Sequence, residues 1–150
     1  MKNSAGILLY RNINNNLQVF LVHTGGPYGF GKDKGFWSIP KGEFNYPEPS
    51  FYAALREFKE ETGIDIIKES ISYKFLGSIK QNKEKIVTVW STKYEKDIKN
   101  KISNTFTMEW PKNSGNIQEF PEVDKGQWFN INDAKEKIIN GQIYFMERIE

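Results

Sequence analysis

The chain predicts a mixed β-sheet with helices packed against it, an α/β fold of the α+β kind. Three features carry that expectation: β-type runs at both ends and in the middle of the chain, one strongly patterned helix over 50–62, and a second capped helix near the C-terminus. With 150 residues the chain fits one domain, 1–150, built on one sizeable core, and no repeat or low-complexity linker divides it.

Taken in order, Ser4 to Tyr10 reads as a buried strand, Asn12 to Asn16 as a polar turn and Leu17 to Val22 as a second strand, together a hairpin. Gly25 to Lys34 is a Gly- and Lys-rich loop with two aromatics. Phe36 to Ile39 is a short apolar stretch ended by Pro40, and Gly42 to Pro49 is expected to be a loop. Ser50 to Thr62 is the clearest helix. Ser50 is its candidate N-cap, with a start nearer Pro47 equally open, and Gly63 stands where a C-terminal glycine cap belongs. Phe51, Leu55, Phe58 and Thr62 share its core face. Strands follow at Tyr73 to Lys80 and Lys85 to Lys93, joined by a turn around Asn82 and Lys83. Glu95 to Asn104 reads as a short helix or a loop, Thr105 to Trp110 is ambiguous, and Pro111 to Gly115 is a turn. Gly126 to Ile131 is a strand, Asn132 or Asp133 caps a helix running to Ile139, and the tail from Gln142 can form a short helix.

Composition excludes several kinds of chemistry. There is no Cys and a single His, so disulfides, thiolate nucleophiles, Cys-ligated zinc and His-rich metal sites are out. A bound metal must be held by oxygen, which points to magnesium, manganese or calcium. A net charge of +2 is too weak to argue for a nucleic-acid polymer such as DNA. No window is apolar for long enough to span a bilayer, and the run Ile7-Leu8-Leu9 is too short for a signal-peptide core, so a cytoplasmic location is the default expectation. Aromatics are high at 15%; they can fill the core, and some are candidates to line a site that stacks on a flat ring.

The informative stretch runs from Gly42 to Ile64. Glu48 follows Gly42 by six positions, and Arg56-Glu57-Phe58-Lys59-Glu60-Glu61-Thr62-Gly63-Ile64 begins eight further on. On a helix Glu57 pairs with Glu60 at i,i+3 and with Glu61 at i,i+4, so all three carboxylates leave one side, largely away from Leu55 and Phe58. Like charges at that spacing cost an isolated helix roughly 0.2–0.5 kcal/mol per pair. Arg56, at i,i+4 to Glu60, offsets part of this, and a divalent cation would offset more. Such a metal set suits phosphoryl chemistry: cations polarise phosphorus and acidify an attacking water, while a carboxylate takes its proton. Glutamates alone are most often a solvated helix face. The seven exact identities from Gly42 to Gly63, at roughly one in fifteen each, arise by chance about once in 10⁸ starting points, which decides against that reading.

The pattern of Gly, five residues, Glu, seven residues, Arg-Glu, apolar, any, Glu-Glu, any, Gly, apolar resembles the Nudix box, with Phe58 and Ile64 in the apolar slots. Nearly the whole chain is similar to a bacterial group of Nudix proteins described broadly as NTP pyrophosphohydrolases. That wider similarity rests on Ser4-Ala5-Gly6, His23-Thr24-Gly25-Gly26-Pro27, Trp37-Ser38-Ile39-Pro40-Lys41-Gly42-Glu43, Phe106-Thr107-Met108-Glu109-Trp110-Pro111 and Glu119-Phe120-Pro121-Glu122-Val123-Asp124.

The resemblance implies a Nudix fold, an α/β/α sandwich around a central mixed sheet. It implies Glu57, Glu60 and Glu61 as metal ligands, joined by the Gly42 carbonyl, holding Mg²⁺ or Mn²⁺ with more than one ion per site. Glu57 is a candidate base, a role that varies within the family and can fall to a glutamate outside the box. Arg56 would orient the glutamates, and Glu48 would fix the loop or helix start. A further acidic residue is expected from the loop before the last strand, with Glu122 preferred to Glu119 and Glu109 third. Glu61 and Glu122 therefore join Arg56 and Glu57 as candidate catalytic residues. On the substrate side Lys41 is a candidate phosphate contact, and Tyr28, Phe30 and Lys32, with Lys34, are candidate base and phosphate contacts. His23 is expected to make a structural hydrogen bond. Trp37, Trp90 and Trp128 are expected in the core, and Trp110 at the rim of a pocket.

The expected activity is hydrolysis of a phosphoanhydride bond in a nucleoside diphosphate linked to another moiety, in an NTP, a dinucleoside polyphosphate or a nucleotide sugar. The alternatives are an RNA 5′-end pyrophosphohydrolase and a non-catalytic nucleotide-sensing module. An isoprenoid-diphosphate isomerase relies on a Cys that this chain lacks. The expected partner is a small nucleotide-type diphosphate, with no membrane, for a monomer or homodimer.

Overall fold

The computed structural model describes residues 1–68, 72–96, 98 and 104–150. Strands β1 (Lys2–Ile13) and β2 (Asn16–Thr24) form the expected hairpin, turning through Asn14 and Asn15 at φ 51° and 66°. Asn accepts this left-handed geometry, which matches the twist of the flanking strands. β1 lies at the centre of the sheet. It pairs antiparallel with β2 and with β4 (Lys41–Phe44), and parallel with β6 (Lys85–Lys93). β5 (Lys74–Asn82) borders β6, while β3 (Trp37–Ser38) and β9 (Val123–Asn130) pair with β2, completing a seven-stranded mixed sheet. Among the described residues β7 (Thr105–Glu109) and β8 (Ile117–Pro121) pair only with each other.

Side chains alternate across the sheet with the strand period of two. Ala5, Ile7, Leu9, Phe20 and Val22 point to one face, where Ala53, Ala54, Leu55 and Phe58 of α1 (Ser50–Thr62) cover them. Leu8, Val19 and Leu21 point to the other, beneath α2 (Ile131–Lys137) and α3 (Ile143–Arg148), which contribute Ala134, Phe145 and Met146. The result is the expected α/β/α sandwich. Both faces of β1 are buried, which is why it reads as a continuous apolar run.

The structure departs from the sequence reading at several element ends. The 42–49 stretch is not all loop: Gly42 lies opposite Ala5, and Lys41–Phe44 completes a ladder on the first residues of β1. Ser50 is the first helical residue and not the cap. Pro49 precedes it in extended conformation, with no side-chain cap hydrogen bond. α2 starts after Asn130, before either expected cap, and stops at Lys137. It stops short of Ile139 because the Ile139 N–H donates to the Trp37 carbonyl at 2.9 Å, pulling the chain onto β3. β8 had no counterpart in the sequence reading, and Thr105 to Glu109 resolves as its partner strand. The expected helix or loop over 95–104 lies largely outside the described residues. Trp37 is buried, whereas Trp90 and Trp128 are half-buried at the edge of the α1-side core. Among the described residues no helix is long and apolar enough to cross a membrane.

Candidate active site

The cavity that gathers the candidate residues has a volume of about 490 Å³ and lies where α1 meets β4 and the start of β9. α1 delivers its carboxylates because its core face is fixed from both sides. Phe58 and Thr62 are fully buried, and Gly63, at φ 77°, ends the helix by donating its N–H to the Lys59 carbonyl. With that face locked, Glu57, Glu60 and Glu61 reach the cavity wall.

The three glutamates are not equivalent. Glu57 and Glu61 are only 8% exposed, so they are buried along with Leu55 and Phe58 rather than standing clear of them. β4 passes over them and removes the solvent that an isolated helix face would keep. Burial pushes Glu57 up to about 7, against the pull of Arg56 and with the charge of Glu60 adding to it. Burial likewise pushes Glu61 up to about 8, although the Lys41 charge and the Lys41 backbone N–H, which donates to Glu61 Oε1 at 3.2 Å, draw it down.

Arg56 ties the set together. Its Nε and Nη2 donate to both oxygens of Glu48, at 2.8 and 2.9 Å, and its Nη1 donates to Glu57 at 2.8 Å and to Glu60 at 3.2 Å. The Glu48 hydrogen bond leads in raising the guanidinium further above its ordinary range. Arg56 in turn holds Glu48 low. Gly42 faces this group so closely that a Cβ there would collide with the Glu57 carboxylate. Any larger residue there would make the Glu57 carboxylate swing away from the position in which Arg56 holds it.

The remaining candidates divide. Glu122 stands at the cavity wall, and burial with the nearby charges of Glu60 and Glu43 raises its carboxyl. Glu119 is exposed on β8 outside the lining, and Glu109 is spent accepting the N–H groups of Asn113 and Gly115 in the β7–β8 turn. Lys41 lines the cavity and is half-buried. Burial and Lys85 push its ammonium down to about 8, opposed by Glu61, Glu43 and Glu57. Tyr28, Phe30 and Lys32 do not line this cavity. They are exposed on the 25–34 loop, which packs toward the β7–β8 hairpin, with Tyr28 edge-on to Trp110 at 5.7 Å. His23 is buried and hydrogen-bonds Asp124 through Nδ1 at 2.9 Å and the Lys32 carbonyl through Nε2 at 2.7 Å, the structural role expected of it.

Sequence reasoning missed Lys85, Glu43 and Ser4, all in the cavity lining. Ser4 Oγ is buried without a hydrogen-bond partner among the described residues. Alternation along β1 places Ser4 beside the apolar Ala5, and nothing in the local sequence marks it as part of a site.

The donor set is wholly oxygen, carries several negative charges on one wall and includes three carboxyls that burial holds above their usual range. That chemistry fits a hard divalent cation. In this arrangement the carboxylates are organised around Arg56, and among the described residues no three acidic or His side chains already converge as a metal cage.

Comparison with known proteins bears on the fold and the family. An RNA pyrophosphohydrolase from Pelagibacter ubique (strain HTCC1062) is 23% identical over 159 aligned residues, spanning 100% of this chain and 89% of that protein. The C. elegans Ap4A hydrolase in a binary complex superposes with a TM-score of 0.61 at 20% identity, covering 99% of this chain and 95% of that one. The NUDIX domain of Shewanella oneidensis NrtR, crystallised with ADP ribose, gives a TM-score of 0.66 at 13% identity over 98% of this chain and 84% of that one. The NUDIX domain family model matches residues 2–149. With the Gly42 to Ile64 pattern intact and folded as that pattern requires, the chain belongs to the NUDIX domain family.

Proposed function

We propose that this Nudix hydrolase cleaves a phosphoanhydride bond in a nucleoside diphosphate linked to another moiety, as in an NTP, a dinucleoside polyphosphate or a nucleotide sugar. The observation that carries this is the joining of Glu57, Glu60 and Glu61 with Lys41 and Lys85 around one cavity. Carboxylates and ammonium groups facing the same space suit a ligand that brings both cations and phosphates.

Glu57, Glu60, Glu61 and the Gly42 carbonyl would hold Mg²⁺ or Mn²⁺, with Glu122 as a further oxygen ligand. A cation there would neutralise phosphate charge and acidify the attacking water. Arg56 keeps Glu57 and Glu60 oriented toward the cavity, and Lys41 and Lys85 attract the phosphates. Glu57 and Glu122 are the candidates to accept a proton from water: both line the cavity, and burial raises both carboxyls above their ordinary range. A cytoplasmic setting suits a substrate of this class.

A second reading, removal of pyrophosphate from an RNA 5′ end, is favoured by the relative of that name. One screen separates the two. Hydrolysis products are separated by chromatography after incubation with magnesium and then manganese, on nucleoside triphosphates, diadenosine polyphosphates, nucleotide sugars and a triphosphorylated RNA, with Glu61→Gln as control. Turnover of small nucleotides that is lost in the control is the expected outcome. Turnover of the RNA alone would transfer the assignment to the second reading, and full activity in Glu61→Gln would sink the metal-site assignment.

A further inference from the structure

A second cavity, of about 390 Å³, opens between the 25–34 loop and the β7–β8 hairpin, lined by Gly26, Pro27, Phe30, Trp110, Phe120 and Asp124. Its chemistry is the reverse of the first. Three aromatic rings make its walls, and among the described residues its only charged lining group is a carboxylate and no cationic side chain lines it. It is therefore unsuited to phosphate and suited to a flat, uncharged ring. Phe30 is 83% exposed and Tyr28, packed edge-on against Trp110, 61%, an apolar exposure that a bound ring would relieve. Asp124 is oriented by the buried His23 at 2.9 Å, and its carboxylate can accept the N–H groups that every nucleobase presents on its edge.

The two cavities adjoin along the chain. Glu122 and Val123 line the first and Asp124 the second; His23 and Thr24 line the first and Gly26 and Pro27 the second. Two residues of chain span roughly 7 Å at most, so the Cα atoms of Glu122 and Asp124 lie within a distance that a ribose can bridge. The close seating is built in, because a Cβ at Gly25 would collide with the Pro121 carbonyl, and the Gly25 N–H donates to the Glu122 carbonyl at 2.9 Å.

We infer that the cleft of Phe30, Trp110, Phe120 and Asp124 is the base-binding subsite, taking the aromatic base of a nucleotide whose phosphates occupy the carboxylate and lysine cavity. This rests on the proposed nucleotide chemistry of that first cavity, but it is tested apart from turnover. ATP and inorganic tripolyphosphate are titrated into the protein by calorimetry in EDTA, so that no hydrolysis occurs. Wild type should bind ATP more tightly than tripolyphosphate. Trp110→Leu and Phe30→Ala should each weaken ATP by about tenfold or more, the scale of one lost base–aromatic stack, and leave tripolyphosphate unchanged. Phe30 is so exposed that its removal spares the fold, which keeps the test decisive should Trp110→Leu misfold. Equal ATP affinity in wild type and Phe30→Ala, or equal affinity of wild type for ATP and tripolyphosphate, would overturn the subsite. Base-dependent binding in EDTA, with no turnover once magnesium or manganese is added, would instead count against the hydrolytic reading and leave the subsite standing.

Discussion

At the residue scale, burial makes Glu61 costly to ionise in the metal-free protein. Its carboxyl rises from 4.5 to about 8, mainly through burial. The folded state therefore binds this proton more tightly than the unfolded chain does. The resulting stability is fully present below about pH 4.5 and is lost as pH climbs through about 8. Glutamine mimics the protonated form and removes the titration. In EDTA, wild type should lose melting temperature between pH 5 and pH 8.5, and Glu61→Gln should lose less. At pH 8.5 the variant should melt higher by on the order of 5 °C, and a residual slope should remain from Glu57, raised to about 7. Added magnesium should reverse the order, because only the wild type gains from a ligand of the native state. Parallel melting curves in EDTA would show that Glu61 does not carry this penalty.

At the scale of the element, α1 acts through Arg56. One planar guanidinium reaches Glu48 through two donors and Glu57 and Glu60 through a third, so it orders the helix carboxylates and the loop before the helix together. A lysine offers a point charge in place of that fork. The pairs with Glu48 and Glu60 are partly exposed and the pair with Glu57 is largely buried, so Arg56→Lys, which keeps the charge, should cost on the order of 1 kcal/mol of stability. It should lower kcat by about tenfold or more, because Glu57 and Glu60 lose their common donor. Wild-type kcat in a folded Arg56→Lys would remove the positioning role. This helix is also where the sequence was most legible. Its i,i+3 and i,i+4 spacings state which side chains share a face, and Ser50–Thr62 emerges with the expected bounds. β4 and β8 were not legible, because four or five half-exposed residues carry no period of their own and become strands through a partner. The burial of Glu57 and Glu61 was hidden for the same reason, since it is imposed by a strand that pairs with β1. Lys85 enters from the far side of the chain, and nothing in its local sequence links it to Gly42.

At the scale of the whole molecule, the central sheet separates two buried clusters with unequal connections to the site. Phe58 and Phe145 are both fully buried aromatics of the same size, one under α1 and the other under α3. Truncating either to Ala removes a similar volume and should cost about 3–5 kcal/mol. Their effects on catalysis should diverge. Phe58 lies between Glu57 and Glu61 on the helix that forms the cavity wall, so a void beneath it lets that wall shift, and small displacements of positioned groups cost on the order of 100-fold in rate. Phe145 lies across the sheet among Leu8, Leu76 and Met146, none of which lines the cavity. Measured at a temperature where both variants stay folded, confirmed by circular dichroism, Phe145→Ala should keep kcat within about threefold of wild type while Phe58→Ala loses at least about tenfold. Equal losses in kcat would mean that the sheet transmits strain from one face to the other, and the two layers would then have to be treated as a single mechanical unit.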